Sequence, residues 1–373
     1  MNTHPNKHRE HPPSWFKDAK LGIFIHWGLP SVPAFAPVDV PDYSEIVRTR
    51  PPAEWFKYFP YSEWYLNSLR IAGSPVEKHH REHFGDAPYE AFADTFKQSS
   101  RSVDVEAWAH LFRAAGADYL VMVTKHHDGF VMYDTTVDHP RLPDYHLDFD
   151  FVGDLAKAVR AKGMRFGVYY SSLLDWTFTH TPVTSPSSLY LENDNSRIYR
   201  DYCYRHWLEL IERYKPDILW NDIGYPVDKR IVDLFETFYA TVPEGVVNDR
   251  WTAFPRWLSN RLGKWWLDRM AKKLLTGNNK AELEPKYYDY RTIEYTTEWK
   301  GQHALFEMCR GLDKSFAYNR YSRPDDFITA VDVKRYLDEI VLQGGRLLLG
   351  VGPDMDGSIP IQQRQVLEAL ADE

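Results

Sequence analysis

Cysteine is nearly absent from this chain of 373 residues: only Cys203 and Cys309 occur, far apart in the sequence. Two isolated cysteines form neither a disulfide framework nor a zinc-binding knuckle. Long apolar runs are also lacking, and the first residues, MNTHPNKHREHPPS, contain no apolar leader segment. We therefore expect a cytoplasmic protein without a membrane partner, unless a leader has been removed.

An excess of positive charge is lacking too. The formal net charge is −8, and no basic stripe interleaved with aromatic residues occurs, so we expect no nucleic-acid partner. Aromatic residues, by contrast, make up 15% of the chain and include 13 Trp and 24 Tyr. Their faces can stack on sugars and can equally pack in a core. The sequence allows a homo-oligomer without requiring one.

Short apolar runs that end in polar residues alternate along the chain with helical patterns. We predict eight strands, in LGIFIHWG, YLVMVTKHHDG, RFGVYYSS, ILWND, GVVNDRW, DYRTIEY, SFAYNR and RLLLGVGP. A helix is predicted over HALFEMCRGLD, just before the seventh strand. Eight strands, each followed by a helical segment, predict an α/β fold, a (β/α)8 barrel of the TIM type.

The predicted barrel occupies residues 15–373, and residues 1–14 are expected to be disordered or extended. One insert, at about residues 252–286, interrupts the alternation with a basic helical pattern that contains Trp257, Trp265 and Trp266. Its composition fits a lid or a subsite for the leaving group, and equally a dimer contact. The eighth helix ends with the chain, so we expect no second domain.

One stretch, YKPDILWNDIGYP, delivers a carboxylate into a loop, because its apolar run ends at Asn221 and Asp222 before Gly224 and Pro226. A lone Asp at a strand end is more often a helix cap. Other strand ends, however, carry residues suited to a polar ligand. The candidate site comprises His26, His126, His127, Tyr169, Asp222, Arg250 and Glu294, with Glu63 and Trp64 on a nearby helix. Barrel enzymes keep their chemistry at this face.

Two carboxylates among neutral hydrogen-bonding groups and aromatic rings match glycoside cleavage, in which one carboxyl group attacks and the other protonates the leaving oxygen. The histidines raise the alternative of a metal site. Neighbouring residues of a strand point to opposite faces, so His126 and His127 cannot bind one ion without a bulge. HxH and HExxH motifs are also absent. We therefore expect no metal.

Seven motifs, in order from Leu21 to about Pro360, resemble the α-L-fucosidases of glycoside hydrolase family 29: GIFIHWG, SEWYLNSL, TKHHDGF, FGVYYS, LWND, VNDRW and GGRLLLGVGPDMDGSIP. The resemblance implies an exo-acting enzyme that releases α-L-fucose from fucosylated oligosaccharides or glycoconjugates. It implies double displacement with retention, through a covalent fucosyl-enzyme, and no metal or organic cofactor.

Residue roles carried over from these motifs make Asp222 the nucleophile. The implied fucose pocket is lined by His26, Glu63, Trp64, His126, His127, Tyr169 and Arg250. The chemistry of a 6-deoxy sugar also requires an apolar patch for the methyl group, which Phe24, Trp27 or Trp220 can supply.

The acid/base is expected at Glu294 in DYRTIEY, because similar members carry a Glu-Tyr pair after VNDRW. The insert leaves four other glutamates close enough for the alignment to slip, namely Glu282, Glu284, Glu298 and Glu307. Arg346 and Gly350 stand where the family usually has Asn. The β-sandwich that commonly follows the barrel is not expected either, which leaves the catalytic domain only.

Two other functions stay open. A related retaining barrel glycosidase acting on a galactoside would use the same pair of carboxyl groups. A carbohydrate-binding pseudo-enzyme would use the pocket without turnover, but two buried carboxyl groups, which cost desolvation energy, would bring it no advantage.

Overall fold

The computed structural model describes residues 12–276, 285–299, 301 and 305–371. The strands are β1 (Leu21–Ile25), β2 (Tyr119–Lys125), β3 (Arg165–Ser171), β4 (Ile218–Asp222), β5 (Val246–Val247), β6 (Arg291–Glu294), β7 (Phe306–Gly311) and β8 (Arg346–Val351). They form a single curled parallel sheet in the order β5-β4-β3-β2-β1-β8-β7-β6. The sheet and its helices have the predicted (β/α)8 architecture.

The α-helices are α1 (Ser14–Asp18), α2 (Tyr43–Thr49), α3 (Tyr65–Leu69), α4 (Pro75–Phe84), α5 (Phe92–Ser99), α6 (Val105–Ala114), α7 (Phe151–Ala161), α8 (Pro186–Leu191), α9 (Arg197–Tyr214), α10 (Ile231–Thr241), α11 (Arg261–Thr276), α12 (Ala330–Val341) and α13 (Ile361–Ala371). Short 3-10 helices include Ser62–Trp64 and Arg256–Ser259. Across the described ranges, no helix has both the length and the apolarity needed to cross a bilayer.

Local sequence accounts for many of these boundaries. Side chains of Asp104, Asp150 and Ser196 accept hydrogen bonds from backbone N–H groups in the first turns of α6, α7 and α9. Gly116 and Gly163, just after α6 and α7, have φ of 90° and 76°, which glycine adopts without the strain of a Cβ atom. Every residue of β1, β2, β4 and β8 is buried, as expected for parallel strands covered on both faces.

The seventh strand lies where the sequence predicts a helix. Residues FEMCRG form β7, which pairs with β6 and β8, whereas residues 315–320 of the predicted strand SFAYNR form a loop. The apolar spacing of Phe306, Met308 and Cys309 fits either element, and pairing between two neighbouring strands decides for the strand. The predicted helix over HALFEMCRGLD and the predicted strand over SFAYNR are therefore wrong.

The gap between the two edge strands is bridged by hydrogen bonds. The Asp289 N–H donates to the Val247 carbonyl at 2.9 Å, and the Val247 N–H donates to the Asp289 carboxylate at 2.8 Å. The Thr292 N–H donates to the Asp249 carboxylate at 3.1 Å. One backbone bond and two bonds to side-chain carboxylates thus continue the barrel where β5 and β6 do not pair as strands.

Helix α1 packs against the amino-terminal end of the sheet. The Phe16 ring lies 4.6 Å from the Tyr290 ring, and the guanidinium of the fully buried Arg346 lies over Phe16 at 3.9 Å. Because this end is filled, the carboxyl ends of the strands are left to hold the site. The predicted domain boundary at residue 15 stays a prediction, and residues 1–11 lie outside the described part.

Candidate active site

Asp222 ends β4 and points into a polar cluster at the carboxyl face of the sheet. Its Oδ1 accepts from Arg250 Nη1 at 2.8 Å and from the Ile223 N–H at 2.9 Å. Its Oδ2 accepts from the Tyr169 hydroxyl at 2.8 Å. Ile223 has a φ of 64°, so the chain turns sharply directly after the carboxylate. Three donors therefore fix the Asp222 carboxylate, which is only 8% exposed.

Glu294 ends β6 and meets the same guanidinium. Its Oε1 accepts from Arg250 Nη2 at 2.5 Å, and its side chain is about one third exposed. Arg250 Nε donates to the Thr292 hydroxyl at 2.9 Å, which orients the guanidinium plane. Burial by itself lowers the pKa of Arg250, but the carboxylates of Glu294 and Asp222 raise it well above its ordinary value. Arg250 is thus a permanent cation between two carboxylates.

The other candidate glutamates do not share this position. Glu298 is exposed, and Glu307 is fully buried inside the barrel. The carboxylate of Glu307 accepts from Trp220 Nε1 at 2.9 Å and from the Tyr119 hydroxyl at 2.6 Å. Glu282 and Glu284 lie outside the described residues. Among the described glutamates that the alignment leaves open, Glu294 alone is bonded to the Asp222–Arg250 pair.

Three buried histidines lie close together beside Asp222. The His26 and His126 rings lie 5.9 Å apart, and the His126 and His127 rings 4.0 Å apart. Burial is the main cause that lowers the pKa of each histidine well below its ordinary value, so the three rings are neutral at pH 7. A neutral imidazole can both donate and accept hydrogen bonds, as sugar hydroxyls require.

The two adjacent histidines lie beyond the end of their strand. Strand β2 ends at Lys125, after a register shift against β3, so His126 and His127 do not alternate across the sheet. Ligand atoms of both histidines and of Asp222 lie within 4.8 Å of one another, close enough to hold an ion. The sequence argument allowed both histidines to reach one ion only with a bulge, and the register shift at the end of β2 is such an irregularity. The absence of a catalytic metal stays a prediction.

The nitrogens of His127 face two groups that fix its role. Its Nδ1 lies 2.6 Å from the Ser171 hydroxyl, and its Nε2 lies 3.6 Å from the carboxylate of Asp222. In contrast, no hydrogen bond to Nδ1 of His26 or His126 is found within the described structure, although both atoms are buried. Both nitrogens are enclosed by protein atoms, while the His26 and His126 rings border the cavity that they line with Glu63.

Glu63 and Trp64 reach the site from the 3-10 helix Ser62–Trp64. Glu63 Oε2 accepts from the Ser315 hydroxyl and from the Ala317 N–H, both at 3.1 Å. Burial raises the pKa of Glu63 to about 7. The Trp64 ring packs edge-on against His127, with 5.2 Å between ring centroids. The role of Ser315 could not be seen from the sequence, because its segment was predicted to be a strand.

Aromatic rings form the apolar side of the site. The Trp220 ring stacks on Tyr169 at 5.4 Å and lies beneath the Arg250 guanidinium at 4.7 Å, and Phe24 lies 5.0 Å from it. Trp27 lines a cavity with His26, Glu63 and His126, although its ring also packs among core aromatics. The ten predicted site residues thus belong to one connected cluster.

Comparison with known proteins decides the family. A sequence model of the family "Alpha-L-fucosidase" matches residues 1–372. This chain belongs to the α-L-fucosidase family. The resemblance seen in the sequence is therefore confirmed, and the family is one of glycoside hydrolases.

Relatives and solved structures agree with this assignment. The tissue α-L-fucosidase of Bos taurus is 29% identical over 369 residues, which cover 95% of this chain and 66% of the relative. The crystal structure of the Thermotoga maritima α-fucosidase in complex with a mechanism-based inhibitor matches with a TM-score of 0.79 and 39% identity. That match covers 98% of this chain and 74% of the other. The same enzyme in complex with fucose matches at 37% identity and a TM-score of 0.77, over 97% of this chain and 73% of the other.

Proposed function

We propose that the protein is a retaining, exo-acting α-L-fucosidase that releases terminal α-L-fucose from fucosylated oligosaccharides or glycoconjugates. The chain spans about two thirds of the length of the bovine relative, 66%, so its activity is inferred from this site together with the family. The observation that carries the proposal is the bridge from Asp222 through Arg250 to Glu294. A retaining glycosidase needs two carboxyl groups about 5 to 5.5 Å apart. One guanidinium bonded to both carboxylates supports a separation of this order.

In the proposed first step, Asp222 attacks the anomeric carbon of the fucosyl unit and forms a β-linked ester. Glu294 gives its proton to the glycosidic oxygen as the bond to the leaving sugar breaks. Oδ2 of Asp222 keeps the hydrogen bond from Tyr169 and Oδ1 the bond from Arg250, so the nucleophile is oriented before substrate arrives.

In the second step Glu294 removes a proton from water, which attacks the anomeric carbon and releases Asp222 as a carboxylate. Two inversions give α-L-fucose, the configuration of the substrate. Glu294 is the more exposed of the two carboxyl groups, with 34% of its side chain accessible against 11% for Asp222. This difference supports its role as the group that exchanges protons with water and the leaving sugar.

Recognition of fucose is assigned to the neutral groups of the cluster. His26, His126 and Glu63 line one cavity, and Glu63 is held in place by two donors. Phe24 and Trp220 provide an apolar surface for the C5 methyl group. A sugar with a hydroxymethyl group at this position would bring an extra polar oxygen to that surface, which disfavours a galactoside.

A substrate panel tests the proposal. Nitrophenyl glycosides of α-L-fucose, α-D-galactose and β-D-galactose are offered to the purified protein, and proton NMR follows the first anomer released. We expect hydrolysis of the fucoside with α-L-fucose as the first product. Release of β-L-fucose would contradict the retaining mechanism, a faster galactoside would favour the rival glycosidase, and no turnover of any glycoside would favour the pseudo-enzyme.

A further inference from the structure

Ser171, the last residue of β3, lies between His127 and the loop that follows the strand. Its hydroxyl oxygen is 2.6 Å from Nδ1 of His127 and 2.8 Å from the carbonyl oxygen of Leu174. Ser171 is fully buried and pairs in register with Asp222 on the neighbouring strand β4. Ser171, His127 and Asp222 thus form a short chain of contacts that ends at the proposed nucleophile.

The single proton of the Ser171 hydroxyl fixes the tautomer of His127. A carbonyl oxygen carries no proton, so the contact with Leu174 uses the proton of the hydroxyl group. The Ser171 oxygen can then meet His127 only as an acceptor. Nδ1 of His127 therefore carries a proton and donates it to Ser171. In a neutral imidazole the other nitrogen, Nε2, is left with a lone pair.

The surroundings of His127 keep its ring neutral. Burial is the largest cause that lowers its pKa well below the ordinary value, and the charges of Lys125, His26 and Arg250 lower it further. An imidazolium would donate a hydrogen bond to Asp222, but the 3.6 Å between Nε2 and Oδ2 is too long for one. Nε2 therefore faces Asp222 as an acceptor.

Two acceptors thus lie beside each other where the sugar must react, Nε2 of His127 and Oδ2 of Asp222. Oδ2 accepts from the Tyr169 hydroxyl at 2.8 Å. Because the anomeric carbon must approach the Asp222 carboxylate, the sugar hydroxyl nearest to Nε2 is the one on C2, the next ring carbon. Hydrogen bonds to this hydroxyl strengthen in the transition state of glycoside cleavage.

Neighbouring groups hold the His127 ring in this orientation. The rings of Trp64 and Trp176 pack edge-on against it, with centroids 5.2 and 5.3 Å away. The Trp176 N–H also donates to the His127 carbonyl at 2.7 Å. The ring therefore cannot turn Nδ1 away from Ser171 without displacing a packed tryptophan.

The same three residue types form the triad of serine hydrolases, but the contacts here exclude that chemistry. In such a triad the serine hydroxyl gives its proton to the histidine and attacks the substrate. The Ser171 hydroxyl instead donates to the Leu174 carbonyl, and its side chain is not exposed. Ser171 therefore acts on His127 and does not act as a nucleophile.

We propose that Ser171 is a positioning residue: it holds His127 in the tautomer with the proton on Nδ1, so that Nε2 accepts a hydrogen bond from the C2 hydroxyl of the fucosyl unit. The part that concerns this hydroxyl rests on the proposed fucosidase activity. The tautomer follows from the contacts of Ser171 alone.

Nitrogen NMR of protein labelled with ¹⁵N-histidine tests the tautomer without any substrate. The signals of His127 are identified by their loss in His127→Phe, and His127→Gln serves the same assignment if the first variant does not fold. In wild type at pH 7 we expect a protonated Nδ1 and an unprotonated Nε2. In Ser171→Ala, Nε2 should become protonated, because Nδ1–H has lost its acceptor. A proton on Nε2 in wild type would overturn the proposal.

Nitrophenyl α-L-fucoside and its 2-deoxy analogue test the link to the C2 hydroxyl. Ser171→Ala should lower kcat/KM on the fucoside roughly 3- to 10-fold, because a protonated Nε2 accepts no hydrogen bond. On the 2-deoxy analogue, which lacks this hydroxyl, the change should stay within about 2-fold. Adding Ser171→Ala to His127→Phe should cause no further loss, since Ser171 acts through that ring. Ser74→Ala removes another buried hydroxyl that donates to a carbonyl, and this matched control should leave both rates unchanged.

The outcomes distinguish failure of this inference from failure of the proposed function. If wild type does not hydrolyse the fucoside, the fucosidase proposal falls and the positioning role of Ser171 falls with it. If wild type is active and Ser171→Ala loses equal activity on both substrates, Ser171 only supports the fold, and the activity stands. A further loss in the double variant would show that Ser171 does not act through His127.

Discussion

Asp222 and Glu294 are bonded to opposite Nη atoms of one guanidinium, that of Arg250. The two carboxylates come from different strands, β4 and β6, that do not neighbour each other in the sheet. Arg250, just after β5, is the contact that fixes one carboxylate relative to the other. Because a planar guanidinium offers several donors in a fixed geometry, a point charge cannot replace it.

Replacing Arg250 by Lys is expected to lower kcat on nitrophenyl fucoside by about 10- to 100-fold, because an ammonium group cannot hold both carboxylates at once. The measurement is steady-state kinetics, with circular dichroism to check the fold. Arg335→Lys, on the exposed surface of α12, is the control and should behave as wild type. Wild-type kcat in Arg250→Lys would show that the bridge does not matter for turnover.

Asp222→Ala is expected to reduce hydrolysis of every fucoside by about 10³-fold or more, since no other described group is placed to form the ester. Added azide should enter the vacated space, attack once and give β-L-fucosyl azide from an activated α-fucoside. The product is identified by NMR. An unaltered rate on the aryl fucoside would rule Asp222 out as the nucleophile.

Glu294→Ala is expected to lose far more activity on a fucosyl disaccharide than on nitrophenyl fucoside, because a sugar alkoxide needs a proton to leave and nitrophenolate does not. Azide should restore turnover and, after two inversions, give α-L-fucosyl azide. The configuration of the azide thus separates the two carboxyl roles. Glu298→Gln, an exposed glutamate four residues away, serves as the control. If Glu294→Ala matches wild type on the disaccharide, the acid/base lies elsewhere.

Chelator treatment is expected to leave the activity unchanged, even though His126, His127 and Asp222 are close enough to hold an ion. Dialysis against a chelator, followed by a rate assay, is the measurement. Loss of activity that added zinc restores would assign the cluster to a catalytic metal.

Replacing His127 by Phe should lower kcat/KM by about 10-fold or more, because a ring nitrogen then no longer faces Asp222.

Glu63 is expected to make stability depend on pH. Burial raises its pKa from 4.5 to about 7, so between these values the folded protein holds a proton that the unfolded chain has lost. The free energy of unfolding of wild type, relative to Glu63→Gln, should therefore fall by up to about 3 kcal/mol as pH rises from below 4.5 to above 7. Urea unfolding of both proteins at pH 4.5, 6 and 8 measures the difference. A constant difference across this range would contradict a buried Glu63 that titrates near 7.

Prediction from sequence succeeded where the local apolar pattern matches the burial of the element in the fold. Seven of the eight strands lie where they were predicted. Six of these are apolar runs, because a parallel strand covered on both faces needs continuous apolar sequence, and the seventh is the polar, half-buried strand β6 in DYRTIEY. The polar residues at their carboxyl ends were found for the same reason, since they interrupt those runs. The apolar pattern did not identify FEMCRG as a strand or SFAYNR as a loop. The buried Glu307 breaks the apolar run of β7.

The sequence by itself determined the barrel class, the family and the ten residues of the cluster, because short-range patterns and motifs record them. Only the tertiary structure decided which groups meet. Trp220 and Glu307 are 87 positions apart and Glu63 and Ser315 are 252 apart, yet each pair is hydrogen-bonded. The chain also turns directly after β2, so His126 and His127 both lie close to Asp222, whereas adjacent side chains of a regular strand would point to opposite faces. Such contacts depend on how strands pair and loops turn, and no local pattern encodes the distance between residues so far apart along the chain.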